Sequence, residues 1–151
     1  MIPGKGKYAR QLFEQGANCA QAVAGAFADT VGMKEEELFK LASGFGGGVG
    51  RMREVCGAVS GMVLVLNILH GNADISDKNA KDAHYAKVQN LIKKFEAKTN
   101  SIICRTLLKL AEDTATPPES EARTAEYYQK RPCADLVELA AQLLEAELTQ
   151  I

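Results

Sequence analysis

The sequence contains no tryptophan, few aromatic residues (6%) and a formal net charge of only -1 over 151 residues. A nucleic-acid surface needs an excess of basic charge or a platform of stacking rings, and neither is present. No apolar stretch suits a membrane. The longest, 62–69, is interrupted by Asn67 and falls far below the roughly 20 residues a spanning helix requires. The first residues carry lysines with no apolar segment behind them, so they do not read as a secretory signal. A soluble cytoplasmic protein is the expectation. Ser, His and Asp fall at no spacing that would support hydrolase chemistry. There is no CxxC pair, which leaves zinc-ribbon and thioredoxin-type sites without their sequence signature.

What the chain does have is alanine, leucine and helical periodicity. Strictly alternating segments are scarce, so the expected fold is all-α: one compact multi-helix bundle and one domain over 1–151. The pattern predicts helices over 5–15, 18–31, 34–43, 53–70, 76–98, 102–111 and from Pro132 onward, with a short polar piece near 121–130. Gly16 reads as the residue closing the first helix, and Asn18 as the cap of the second, with Gln21 completing a capping box. Proline suits the first position of a helix, so Pro132 should open the last one. The 53–70 segment is apolar on nearly every side, which places it at the centre of the bundle.

Before that central helix lies a glycine-dense stretch, Gly44-Phe45-Gly46-Gly47-Gly48-Val49-Gly50-Arg51. It leads into Cys56-Gly57-Ala58-Val59-Ser60-Gly61. So many glycines imply positive φ angles or close backbone approach. Gly57 and Gly61, four apart on one helix face, predict tight packing and leave room beside Cys56. The stretch also invites a phosphate-cradle reading at the N–H groups of 46–50, supplemented by Arg51 and Arg53. Its spacing matches neither a P-loop nor a strand-led dinucleotide fingerprint.

Four cysteines, Cys19, Cys56, Cys104 and Cys133, are far apart in sequence, yet each falls in or near the first turn of a predicted helix. Unpaired N–H groups and the positive end of the macrodipole favour thiolate there. Two readings stand side by side: buried small hydrophobes, or one shared thiol or metal site. His70 at a helix end and His84 in a polar helix read as terminal and as surface or groove residues, and neither is paired by spacing with a cysteine.

The glycine stretch, the CGAxxG segment, Asn18-Cys19-Ala20 upstream, Cys104 and Arg131-Pro132-Cys133 together resemble one family. It is the redox-active protein family named for its C…GCAxxG…C…C pattern. Here glycine follows the motif cysteine, so CGAxxG is the matching form. The resemblance spans nearly the whole chain. It implies a helical domain whose Cys19, Cys56, Cys104 and Cys133 are redox-active or cluster-binding, with Gly57, Ala58 and Gly61 as the motif beside the cofactor. An iron–sulfur cluster, zinc, or a metal-free dithiol/disulfide couple are the chemistries open to it, with a redox partner protein and with homo-oligomerisation open. The competing class is a non-catalytic helical interaction module with inert cysteines.

Overall fold

The chain turns where its glycines and polar caps direct it. In the computed structural model, which describes residues 4–149, the ordered elements are helices and no strand forms among the described residues. α1 (Lys5–Glu14) is followed by Gly16 at φ 116°, in the left-handed region that a missing Cβ permits. Asn18 then caps α2 (Cys19–Gly25). Its side chain accepts from the Gln21 N–H at 2.9 Å, and the Gln21 side chain accepts from the Asn18 N–H at 3.0 Å.

The helix expected to continue to residue 31 breaks after Gly25. Glycine is a poor helix former, and here its missing Cβ lets the Phe39 ring close in. The chain turns through Ala26 and Phe27, resumes as α3 (Ala28–Val31), and stops at Gly32, φ 71°. α4 (Glu35–Ala42) follows, then a single tighter turn, Ser43–Phe45.

The central helix α5 is Gly57–His70, shorter at its start than the expected 53–70. Residues 53–56 are instead tied sideways to 102–105. Val55 and Ile103 form an antiparallel bridge, the Cys56 N–H donates to the Ile102 carbonyl at 2.7 Å, and the Cys104 N–H donates to the Glu54 carbonyl at 2.6 Å. The same pairing cuts the expected 102–111 helix to one turn, α7 (Cys104–Leu107), and Lys109 at φ 57° ends it. Between these segments runs α6 (Lys78–Thr99), capped by the Asp77 side chain on the Ala80 N–H. His84 on α6 is buried rather than on a surface or in a groove, its Nε2 2.6 Å from the Asn67 side-chain oxygen of α5. α8 (Ala125–Lys130) is capped by Thr124. The last helix, α9, is Cys133–Thr149. The Leu136 N–H donates to the Pro132 carbonyl, so proline precedes the first turn instead of lying inside it.

α5 packs against α2 and α9 and also meets α3, α4 and α6, while α1 lies along α9. Met62, Val65 and Leu66 on α5 are fully buried, each worth about 1.5–3 kcal/mol of removed apolar surface. A Cβ on Gly61 would lie 2.9 Å from the Ala20 carbonyl oxygen, so α5 and α2 meet almost backbone to backbone. Among the described residues no helix is long and apolar enough to cross a membrane.

Candidate functional site

The glycine stretch folds as a left-handed turn. Gly47, Gly48, Val49, Gly50 and Arg51 are consecutive residues at φ 64, 75, 67, 56 and 63°, and Arg53 follows at 65°. An L residue in this region costs roughly 1–2 kcal/mol, which glycine avoids. Three of the five are therefore glycine, and Val49 and Arg51 carry the strain. The turn closes on itself: the N–H groups of Val49, Gly50, Arg51, Arg53 and Glu54 donate to the carbonyls of Phe45, Gly44, Gly46, Gly47 and Gly48. Those donors are engaged, so the phosphate-cradle reading loses the N–H groups of Val49 and Gly50. What the turn provides is proximity. A Cβ on Gly48 would lie 2.7 Å from the Cys104 Cβ, and one on Gly57 would lie 3.0 Å from the Cys19 Cβ.

All four cysteines line one cavity of about 390 Å³. Cys19, Cys104 and Cys133 are the first residues of α2, α7 and α9, and Cys56 is the cap of α5. Each thiol therefore enters from the N-terminal end of a different helix. The sequence placed each near a helix start, and the fold brings those four starts together. Of the motif residues Gly57 also lines the cavity, whereas Ala58 and Gly61 are buried on the α5 packing faces. All four cysteines are free thiols, Cys19 half-buried and the other three buried.

Their protonation differs sharply. Cys19 and Cys133 act on one another. The neighbouring Cys133 thiol raises the Cys19 pKa, with burial adding to the rise, and the same pairing lowers that of Cys133. Burial opposes the lowering at Cys133, but the charges of Arg131, Arg53 and Arg123 reinforce it. Burial pushes the Cys56 thiol up to about 12, although the N–H groups of Ala58 and Val59 act against it. Cys104 is also raised by burial, partly offset by Arg53, whose guanidinium lies 3.7 Å from its sulfur. The thiolate expected at every helix start is thus favoured at Cys133 alone. At Cys56 and Cys104 loss of water outweighs the positive helix end, and at Cys19 the interaction with Cys133 leads the rise with burial second.

The arginines are what sequence reasoning missed as a set. Arg51, Arg53, Arg123 and Arg131 all line the cavity, with Glu121. Arg123 donates to the Phe13 and Ala17 carbonyls and lies 4.4 Å from the Phe13 ring centroid. Arg131 pairs with Glu121, and Arg51 donates to the Pro117 and Glu119 carbonyls. These bonds hold 117–123 against the cavity, which Pro118, Ser120 and Glu121 help to line. A faint signal existed, since Arg131 stands two residues before Cys133 and Arg105 next to Cys104. Yet Arg105 turns away, to the carbonyls of Ala111 and Thr114.

Among the described residues no three His, Cys, Asp or Glu side chains converge as the ligands of a single metal ion do.

No curated protein and no solved structure gives a significant match to the chain. A family model does: the one described as "Putative redox-active protein (C_GCAxxG_C_C)" matches residues 17–147, a span that holds all four cysteines and the left-handed turn. With most of its length inside that match and every named cysteine of the pattern at one cavity, the chain belongs to this redox-active family.

Proposed function

We propose that the four-cysteine cavity is a redox centre that holds an iron–sulfur cluster on Cys19, Cys56, Cys104 and Cys133. The observation that carries this reading is the entry of four sequence-remote thiols into one cavity from four helix starts. A disulfide would use only two of them. A cluster suits thiols that do not meet at one point, because its ligands are distributed over several irons. Soft thiolate donors, four in number, are the set such clusters take. The bound group would supply one-electron transfer. The chain's own residues do the rest. Helix N-termini and the cavity arginines offset the negative charge of the thiolates, and burial of the cysteines limits water. Binding would release the protons now held by Cys19, Cys56 and Cys104, so loading should improve as pH rises. A redox partner protein and a reducing, cytoplasmic setting complete the proposal.

One observation favours a second reading: Cys19 and Cys133 line the same cavity and shift one another's pKa in opposite directions, Cys19 up and Cys133 down. The Cys133 thiolate would attack a disulfide on the partner, whose leaving thiolate takes up a proton. Cys19 would then lose its proton and attack the Cys133 sulfur, expelling the second partner thiol. Two electrons and two protons pass to the partner, and Cys19–Cys133 becomes a disulfide.

Anaerobic purification, or reconstitution with iron and sulfide, separates the two when followed by absorption spectroscopy and iron analysis. The first reading expects visible absorption that each of the four Cys→Ser substitutions reduces. A colourless protein that loses two thiols reversibly on mild oxidation, only when Cys19 and Cys133 are both present, would establish the second. A colourless protein whose four thiols all survive oxidation would sink both and leave the inert interaction module.

A further inference from the structure

The cavity lining carries more positive charge than its own acids balance. In the unloaded protein Arg51, Arg53, Arg123 and Arg131 face it, against the carboxylate of Glu121 and whichever site thiol is ionised. Guanidinium groups that share one half-enclosed cavity repel one another, and a bound anion relieves that repulsion. Arg51 and Arg123 are committed to backbone carbonyls. Arg53 is not: among the described residues its side chain bonds only the Cys104 sulfur, at 3.7 Å, and a guanidinium carries five N–H donors. Position 53 is also a poor place for arginine on backbone grounds, because φ is 65°, where glycine would be unstrained. A guanidinium with donors to spare, beside a site sulfur and in a cavity that three other arginines line, points to a ligand.

The mouth already shows which chemistry the site accepts. Arg131 holds a carboxylate, that of Glu121. The volume, about 390 Å³, lies within the usual range for a small-molecule site. The N–H groups of 49–51, 53 and 54 donate within their own turn, and the charged donors at the cavity are the arginine side chains.

We propose that the cavity binds a small anion, a carboxylate or an oxyanion, between the guanidiniums of Arg53 and Arg131 and beside Cys104 and Cys133. The inference rests on this cavity being the redox centre, and it names the class of small molecule that reaches it. Glu121 holds the place of that anion on Arg131 and competes with it.

Isothermal titration of the full chain, purified anaerobically and reduced, tests this with sulfate and with malonate at an ionic strength fixed by chloride. Saturable one-site binding is expected. Sulfate alone would assign an oxyanion site and malonate alone a carboxylate site. Arg53→Gln should weaken binding about tenfold or more, the worth of one charge-assisted hydrogen bond. Arg53→Gly should weaken it as much while leaving the unfolding temperature unchanged or higher, so the loss is not unfolding. Glu121→Gln should tighten binding by removing the competitor. The proposal is overturned if neither anion binds beyond chloride, if both Arg53 variants bind normally, or if Glu121→Gln does not tighten binding. A cluster that reconstitutes in a protein binding neither anion sinks this inference and leaves the redox reading intact. Binding without cluster or disulfide does the reverse.

Discussion

Gly48→Ala isolates what the left-handed turn does for the sulfur site. Residue 48 sits at φ 75°, and an added Cβ would lie 2.6 Å from the Glu54 nitrogen, 2.7 Å from the Cys104 Cβ and 2.8 Å from the Arg53 carbonyl carbon. Two of those atoms are backbone, and they cannot easily withdraw. The Glu54 N–H donates to the Gly48 carbonyl at 2.9 Å, and the Glu54 carbonyl accepts from Cys104 at 2.6 Å. Left-handed strain of about 1–2 kcal/mol adds to an overpacking penalty of about 1–3 kcal/mol, roughly 2–5 kcal/mol in all. Gly50 is the internal control. Its φ is 56°, but nothing lies within 4 Å of its Cβ position, so Gly50→Ala should show the strain alone, about 1–2 kcal/mol. Gly44, open and not left-handed, should change by less than about 1 kcal/mol when replaced by alanine. Urea unfolding of the reduced proteins reads these differences, provided the slope is unchanged. In a chain of this size Gly48→Ala should also lower the melting temperature by roughly 4–20 °C. If Gly48→Ala is no worse than Gly50→Ala, the glycines serve φ alone and the close approach to Cys104 is not what the turn is for.

Other consequences are open to direct measurement. In reduced, metal-free protein near neutral pH, Cys133 should alkylate before Cys56, because Cys133 is held low by Cys19 and the arginines while burial holds Cys56 near about 12. Peptide mapping after brief iodoacetamide treatment checks the order, and Arg131→Gln should slow the Cys133 reaction. Stability should fall above pH 9: the unfolded Cys56 thiol ionises near its ordinary 9.0, the folded one near about 12, so the native state binds more protons between them. The slope from Cys56 approaches about 1.4 kcal/mol per pH unit there and vanishes below that window. Cys19, also raised, adds to it, whereas the lowered Cys133 contributes in the opposite sense and only as pH falls through its own pKa. Denaturation at pH 7.5 and 10 tests this, and Cys56→Ala should flatten the slope. Asn18→Ala removes a capping box and a bond to the Ser43 carbonyl, and should cost about 1–2 kcal/mol by the same assay. A loss below a few tenths of a kcal/mol would mean α2 is held by packing alone.

Much of the fold was readable in the chain itself. The Asn18–Gln21 capping box, the stop at Gly32, the apolar α5 and the position of each cysteine at a helix start depend on residues within about one turn of each other. Local hydrogen bonding and propensity act over that range, so they leave their mark in adjacent letters. The family pattern added the grouping of the four cysteines. Other features depended on partners far away. α7 starts late because 102–105 bonds to 53–56 and stops early at the left-handed Lys109, and His84 is buried because Asn67 of α5 meets it. The left-handed sign of the glycine turn is foreshadowed by its composition, but Val49, Arg51 and Arg53 share it against their own preference.

The chemistry divides along the same line. Residue type and helix position, both written in the sequence, determined that Cys19, Cys56, Cys104 and Cys133 are thiols at positive helix ends. Which of them gives up its proton was decided only by the tertiary structure. A pKa responds to loss of water and to charges through space. Cys133 receives Arg53 and Arg123 from distant parts of the chain, and Cys19 from another helix, while Cys56 is shut in by the core.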